Sequence, residues 1–116
     1  MTIATLLLSS FAIAQKTSQV FESIETNLSD YKGIALEIWD LAEMGYQEYQ
    51  SSNLLKVRLE SEGFSITTGV AEIPTAFVAE YGTKGPVIGI LGEFDALPGL
   101  SQKAVPFKEK IGRAHV

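Results

Sequence analysis

Two carboxylates stand out for their spacing. Glu93 and Asp95 sit in Gly92-Glu93-Phe94-Asp95-Ala96-Leu97-Pro98-Gly99, directly after Val87-Ile88-Gly89-Ile90-Leu91, a run with no polar side chain. On an extended segment, residues two apart point to the same side. Such a pair suits oxygen ligation of a cation or support of a histidine ligand. In open α/β sheets ligands bind beyond the carboxyl ends of strands, where this pair emerges if Val87–Leu91 is a strand. The competing reading is two solvated acids in a surface loop. Glu43 and Glu48 form a second acidic pair, ahead of an amphipathic stretch, and read as cap and surface contacts on a helix pair. His115, the single histidine, stands beside the chain end and reads as a tail residue rather than a metal ligand.

These residues must be positioned by elements that the apolar spacing outlines. From Thr17 on, Val20, Ile24, Leu28, Tyr31, Ala35, Ile38 and Leu41 recur at three- and four-residue steps, one face of a helix. One long helix is expected, or two joined near Ser29-Asp30, with Asp30 capping the second, which runs to about Met44 and stops at Gly45. A further helix over about Asn53 to Glu62 takes Ser51 or Ser52 as its N-cap, faces Leu55 and Leu59 inward, and terminates at Gly63. Beyond Gly63 the pattern becomes β-type. Phe64 to Thr67 alternates, and Thr75 to Tyr81 is rich in β-branched and aromatic residues, with Gly69 and Pro74 between them. Val87–Leu91 has the composition of a strand covered on both faces, and Tyr81 to Pro86 reads as the turn leading to it. Helices followed by such strands predict an α/β class with a mixed sheet.

Composition narrows the function. With 46% hydrophobic and 20% charged residues in 116, the chain has the make-up of one globular domain. Its net charge of -5, without a Lys/Arg cluster, argues against nucleic acid and anionic membrane as partners. A small ligand fits better. The absence of cysteine excludes a disulfide framework and any cysteine metal ligand within the chain. Ile3 to Ala14 is almost entirely apolar and small, and ends in Ala12-Ile13-Ala14 before Gln15. This predicts a signal peptide over residues 1–14 and a secreted or periplasmic product, or a cytoplasmic one if the signal does not function. The run is shorter than the roughly 20 apolar residues that span a bilayer, so no membrane anchor is expected. An apolar first helix of the fold is the alternative.

Several separated blocks carry a resemblance: Tyr46-Gln47-Glu48-Tyr49-Gln50-Ser51, Glu62-Gly63-Phe64, Ile73-Pro74-Thr75-Ala76-Phe77-Val78-Ala79, and Leu91 to Gln102. In this order and with these gaps, Asp30 to Lys110 resembles the dinuclear-metal amidohydrolases of metallopeptidase family 20, in their p-aminobenzoyl-glutamate hydrolase-like branch. The resemblance implies a catalytic α/β domain with two metal ions, zinc or manganese, and a smaller inserted domain used for dimerisation. The implied reaction is hydrolysis of the amide bond of N-acyl or N-aroyl amino acids. Many relatives carry His-x-Asp-x-x-Pro where this chain has Glu93 to Pro98. By that correspondence Asp95 supports the metal site by orienting a ligand, while Glu93 stands where those relatives place a metal-binding histidine and is expected to pack or hydrogen-bond rather than ligate. The branch draws its ligands from a later Gly-His-x-Cys-Gly-His block and from further glutamate and histidine residues, which this chain does not contain.

The resemblance therefore implies an amino-terminal fragment over residues 15–110 whose metal ligands lie beyond it, expected to bind no metal and to be inactive alone. Ile111 to Val116 resembles the translation of a sequencing adapter, so residues 111–116 are expected to be a non-native tail. Two other readings compete. One is a complete small secreted α/β binding or accessory protein without catalysis; the other is carboxypeptidase or aminoacylase activity of the parent.

Overall fold

The computed structural model describes residues 3–111, with side chains from Thr17 onward. The chain divides into two compact units, residues 1–33 and 34–116. A single helix, α1 (Ile3–Leu41), accounts for the first unit and opens the second. No break occurs at Ser29-Asp30, so of the two expected arrangements the single helix is the one formed. In the first unit Val20, Phe21, Ile24 and Leu28 are about half exposed or more. Thr26 and Asn27 turn their side chains back to the carbonyls of Glu22 and Ser23, at 2.8 Å each, satisfying their polar groups within the helix.

The end of α1 differs from expectation. It stops at Leu41, with Ala42 rather than Gly45 taking the left-handed conformation at φ 47°. The reason lies downstream, because residues 43–45 are claimed by contacts made elsewhere in the second unit. Met44 forms a parallel bridge with Ala96, and the Ala96 amide donates to the Glu43 carbonyl at 2.7 Å.

Helix α2 (Tyr49–Ser61) begins four residues before the expected start. Its termination at Gly63 follows the sequence pattern. Gly63, at φ 89°, donates to the Glu60 carbonyl at 3.0 Å, and Phe64 donates to Leu59 at 3.1 Å. These are the two bonds of a Schellman motif, which a glycine at this position permits. Arg58 and Glu62 add an i,i+4 ion pair at 2.9 Å.

Strands β1 (Ser65–Thr68) and β2 (Phe77–Glu80) pair antiparallel, with Ile66 opposite Ala79 and Thr67 opposite Val78. The connection turns at Gly69, φ 69°, whose amide donates to the Ala76 carbonyl at 2.9 Å, and passes through one 3-10 turn at Val70–Glu72. Ile66, Phe77 and Ala79 are half-buried while Ser65, Thr67, Val78 and Glu80 are exposed, the alternation of a sheet with one covered face. Half-buried Leu55 and Leu59 of α2 supply apolar surface as the sequence pattern expects, and α2 packs on both strands. Phe64 and Tyr81 close the end of the pair, ring centroids 5.1 Å apart.

The expected strand at Val87–Leu91 is not formed. Gly82 and Gly85 turn the chain out of β2 at φ 84° and 95°, but no strand follows among the described residues. Val87, Ile88, Ile90 and Leu91 are 97%, 84%, 93% and 90% exposed. A strand requires a hydrogen-bonded neighbour, and among the described residues none pairs with this one. Local composition is right for a strand, but composition alone builds no ladder. The same shortage shows elsewhere, since no hydrophobic side chain among the described residues is fully buried. The result is an α/β piece of two helices and a two-stranded sheet, compatible with the incomplete catalytic domain that the resemblance implies rather than with a closed mixed sheet.

Candidate functional site

In the second unit, the start of α2, the loop after α1 and the segment around Asp95 meet. The first turn of a helix leaves backbone amides without intrahelical partners. Here Glu43 supplies the acceptors. One carboxylate oxygen accepts from the Gln50 amide at 3.0 Å and the other from the Ser51 amide at 2.8 Å. This corrects the expected serine caps: Ser51 and Ser52 lie inside the first turn, buried to 1% exposure, and a residue from outside the helix does the capping. Burial pushes the Glu43 carboxyl up, but hydrogen bonds from Ser51 and Gln50 outweigh it and hold the pKa below the ordinary value.

Glu48 occupies the N-cap position but makes no side-chain cap bond. Its carboxylate instead accepts from the Thr75 hydroxyl at 2.7 Å. Burial again acts upward, while the Thr75 hydroxyl and the backbone amides of Glu48 and Tyr46 bring the pKa below the ordinary value against a smaller upward push from Glu43. Thr75 is itself buried, and its carbonyl accepts from the Ser52 hydroxyl at 2.7 Å. Glu48, Ser52 and Thr75 therefore lock the start of α2 to the approach of β2. Sequence reading missed Ser52 and Thr75 as a pair. The available signal was that Thr75 falls within a block of the family resemblance and Ser52 directly follows another.

Asp95 is exposed, beside Gly45: a Cβ placed on Gly45 would lie 3.5 Å from one Asp95 carboxylate oxygen and 4.0 Å from one of Glu48. Glu93 is exposed. The structure thus brings Asp95 to the acidic loop that holds α2. The neighbouring Phe94 is half-buried and meets Phe77 of β2, ring centroids 6.3 Å apart. An open groove of about 470 Å³ includes Trp39, Met44, Phe94, Asp95, Leu97 and Leu100 in its wall. Among the described residues no three His, Cys, Asp or Glu side chains come together in a way that could hold a metal ion. The donors present do not compose the two-metal site that the resemblance implies. His115 lies outside the described residues, as do residues 112–116 of the expected tail and the side chains of the expected signal segment. Among the described residues no helix is long and apolar enough to cross a membrane.

No family model matches the chain. Individual proteins do. Two relatives are hydrolases by name, and the chain is similar to them in sequence, as its motifs imply. It is 47% identical over 83 residues to one subunit of the p-aminobenzoyl-glutamate hydrolase of Escherichia coli (strain K12), a match covering 72% of this chain and 17% of that protein. It is 34% identical over 80 residues to thermostable carboxypeptidase 2 of Saccharolobus solfataricus, covering 67% of this chain and 20% of that protein. The chain spans about a fifth or less of the length of the curated relatives it matches.

Proposed function

We propose that residues 15–110 form the amino-terminal part of the catalytic domain of a metal-dependent amidohydrolase. Its substrates are N-acyl or N-aroyl amino acids, with p-aminobenzoyl-glutamate the nearest in kind. The observation that carries this reading is the 47% identity over 72% of the chain to the hydrolase of that name. The longer protein, on this reading, supplies the ligands for zinc or manganese and forms a homodimer. Residues 1–14 direct export to the periplasm or beyond, and residues 111–116 are a non-native tail.

The part of this chain is to build a support. Glu43 and Glu48 hold the start of α2 and the approach of β2, and the segment bearing Asp95 docks against the same loop. A rigid platform of this kind suits a residue that orients a metal ligand, because small displacements of such a residue are felt at the ligand. The chain alone is inactive on this reading, since the family resemblance puts the metal ligands in the longer protein.

The test is hydrolysis of p-aminobenzoyl-glutamate by the full-length protein that contains this segment, with and without a chelator. Turnover that the chelator abolishes, and that the chain alone does not show, is the expected result. No turnover of any N-acyl amino acid by the full-length protein would defeat the reading. The similarity to a carboxypeptidase favours a second specificity, C-terminal cleavage of peptides, which competition between the two substrate classes in the same assay distinguishes.

A further inference from the structure

We infer that Glu43 is a positioning residue for the Asp95 segment: it ties that segment to the start of α2 by using its side chain for the helix and its main chain for the loop. The inference rests on the proposed function only in giving Asp95 a task; the mechanical link stands on the geometry alone.

Both ends of the link are visible. The carboxylate takes the Gln50 and Ser51 amides, one on each oxygen, at 3.0 and 2.8 Å. The carbonyl of the same residue takes the Ala96 amide at 2.7 Å, next to the Met44–Ala96 bridge. The loop between these two anchors is held in a conformation it would not choose. Ala42 and Tyr46, on either side, both have positive φ, 47° and 68°, and neither is glycine. Left-handed backbone at a residue with a Cβ is unfavourable and persists only where the surroundings impose it. Release of the carboxylate anchor allows residues 42–46 to relax, which carries the Glu43 carbonyl away from Ala96 and leaves the Asp95 segment undocked.

Chemistry requires a carboxylate here rather than any polar group. Both oxygens accept from backbone amides, so a carboxamide in the same place keeps one bond and turns its NH₂ toward an amide donor. Aspartate is one methylene too short to reach from the same backbone position.

The experiment is amide hydrogen exchange of the full chain, read by mass spectrometry on peptides covering Phe94–Pro98, Gln50–Ser52 and β1–β2. It compares the parent with Glu43→Gln and Glu48→Gln. Glu43→Gln is expected to speed exchange of the Ala96 amide about five- to ten-fold, together with Gln50 and Ser51, while β1–β2 amides keep their rates. Glu48→Gln, which touches Thr75 instead, is expected to leave Ala96 unchanged. Unaltered Ala96 exchange in Glu43→Gln overturns the proposal. So does a uniform acceleration that includes β1–β2, the mark of a merely structural role, and so does an equal effect of Glu48→Gln at Ala96. Failure of the full-length protein to hydrolyse amides would remove the task given to Asp95 without altering any of these exchange rates.

Discussion

Replacing Ile88 and Ile90 together by lysine should weaken association of the chain with itself. Val87, Ile88, Ile90 and Leu91 are between 84% and 97% exposed, so almost none of their burial is realised. Full burial of such a side chain is worth about 1.5–3 kcal/mol, which leaves about 6–12 kcal/mol unrealised across the four. The backbone of this stretch also lacks strand partners among the described residues, and an unpaired apolar segment is a template for another copy. The double substitution removes about half of that drive, about 3–6 kcal/mol, and places two like charges where copies would meet. Sedimentation velocity across a concentration series, with binding of an apolar dye, reads the effect. The parent chain should show concentration-dependent association, strong dye binding and a broad melt, and Ile88→Lys/Ile90→Lys should reduce the first two. A parent that sediments as a monomer at every concentration, binds no dye and melts sharply would refute this reasoning and favour a self-sufficient small binding protein.

Other outcomes follow from the same structure. Thr75→Val keeps the shape of a buried side chain but removes the donor to Glu48, and should cost about 1.5–3 kcal/mol in denaturant unfolding. Glu43 and Glu48 have lowered pKa values, so the stability they contribute is present above the ordinary carboxylate range and is lost as pH falls through their folded-state values. Denaturation midpoints should therefore drop as pH falls below the ordinary carboxylate range, and less steeply in a Glu43→Gln/Glu48→Gln chain. Gly63→Ala puts a Cβ on a residue at φ 89° and should destabilise by about 1–2 kcal/mol, although the new atom meets Tyr81 at an ordinary 3.6 Å. In the full-length protein, on the proposed function, Asp95→Ala should lower kcat by about 10–100-fold with little change in KM, and wild-type turnover would return Asp95 to the ordinary loop acids.

Elements whose stability is local were legible in the sequence. The apolar face from Val20 to Leu41 specified a helix, Gly63 specified its neighbour's end, and the alternation around Ile66 with the β-branched and aromatic residues around Phe77 specified two strands. Features that depend on distant partners were not. Serines just before an apolar run are sound N-cap candidates, yet the helix starts ahead of them and Glu43 reaches in from another segment to take its free Gln50 and Ser51 amides. The end of α1 moved for the same reason, drawn off its glycine by a bridge to Ala96. Val87–Leu91 shows the limit most plainly: its residues state the environment a strand wants, but the environment must come from neighbours. At the site, Asp95 was found by family resemblance and by its place after that apolar run, while its link to Glu43 required three dimensions.

The Met44–Ala96 bridge bears on the order in which the chain acquires its structure. α2, its glycine stop and the β1–β2 pair join residues close in sequence, so they can form early and at low entropic cost. The bridge closes a long loop around all of them and gains its contacts only once they exist. The segment around Asp95 should therefore dock last on folding and detach first on unfolding, and on a ribosome it would emerge onto a platform already assembled. A protease attacking the native chain should find the bonds between Gly92 and Gly99 before those of the hairpin.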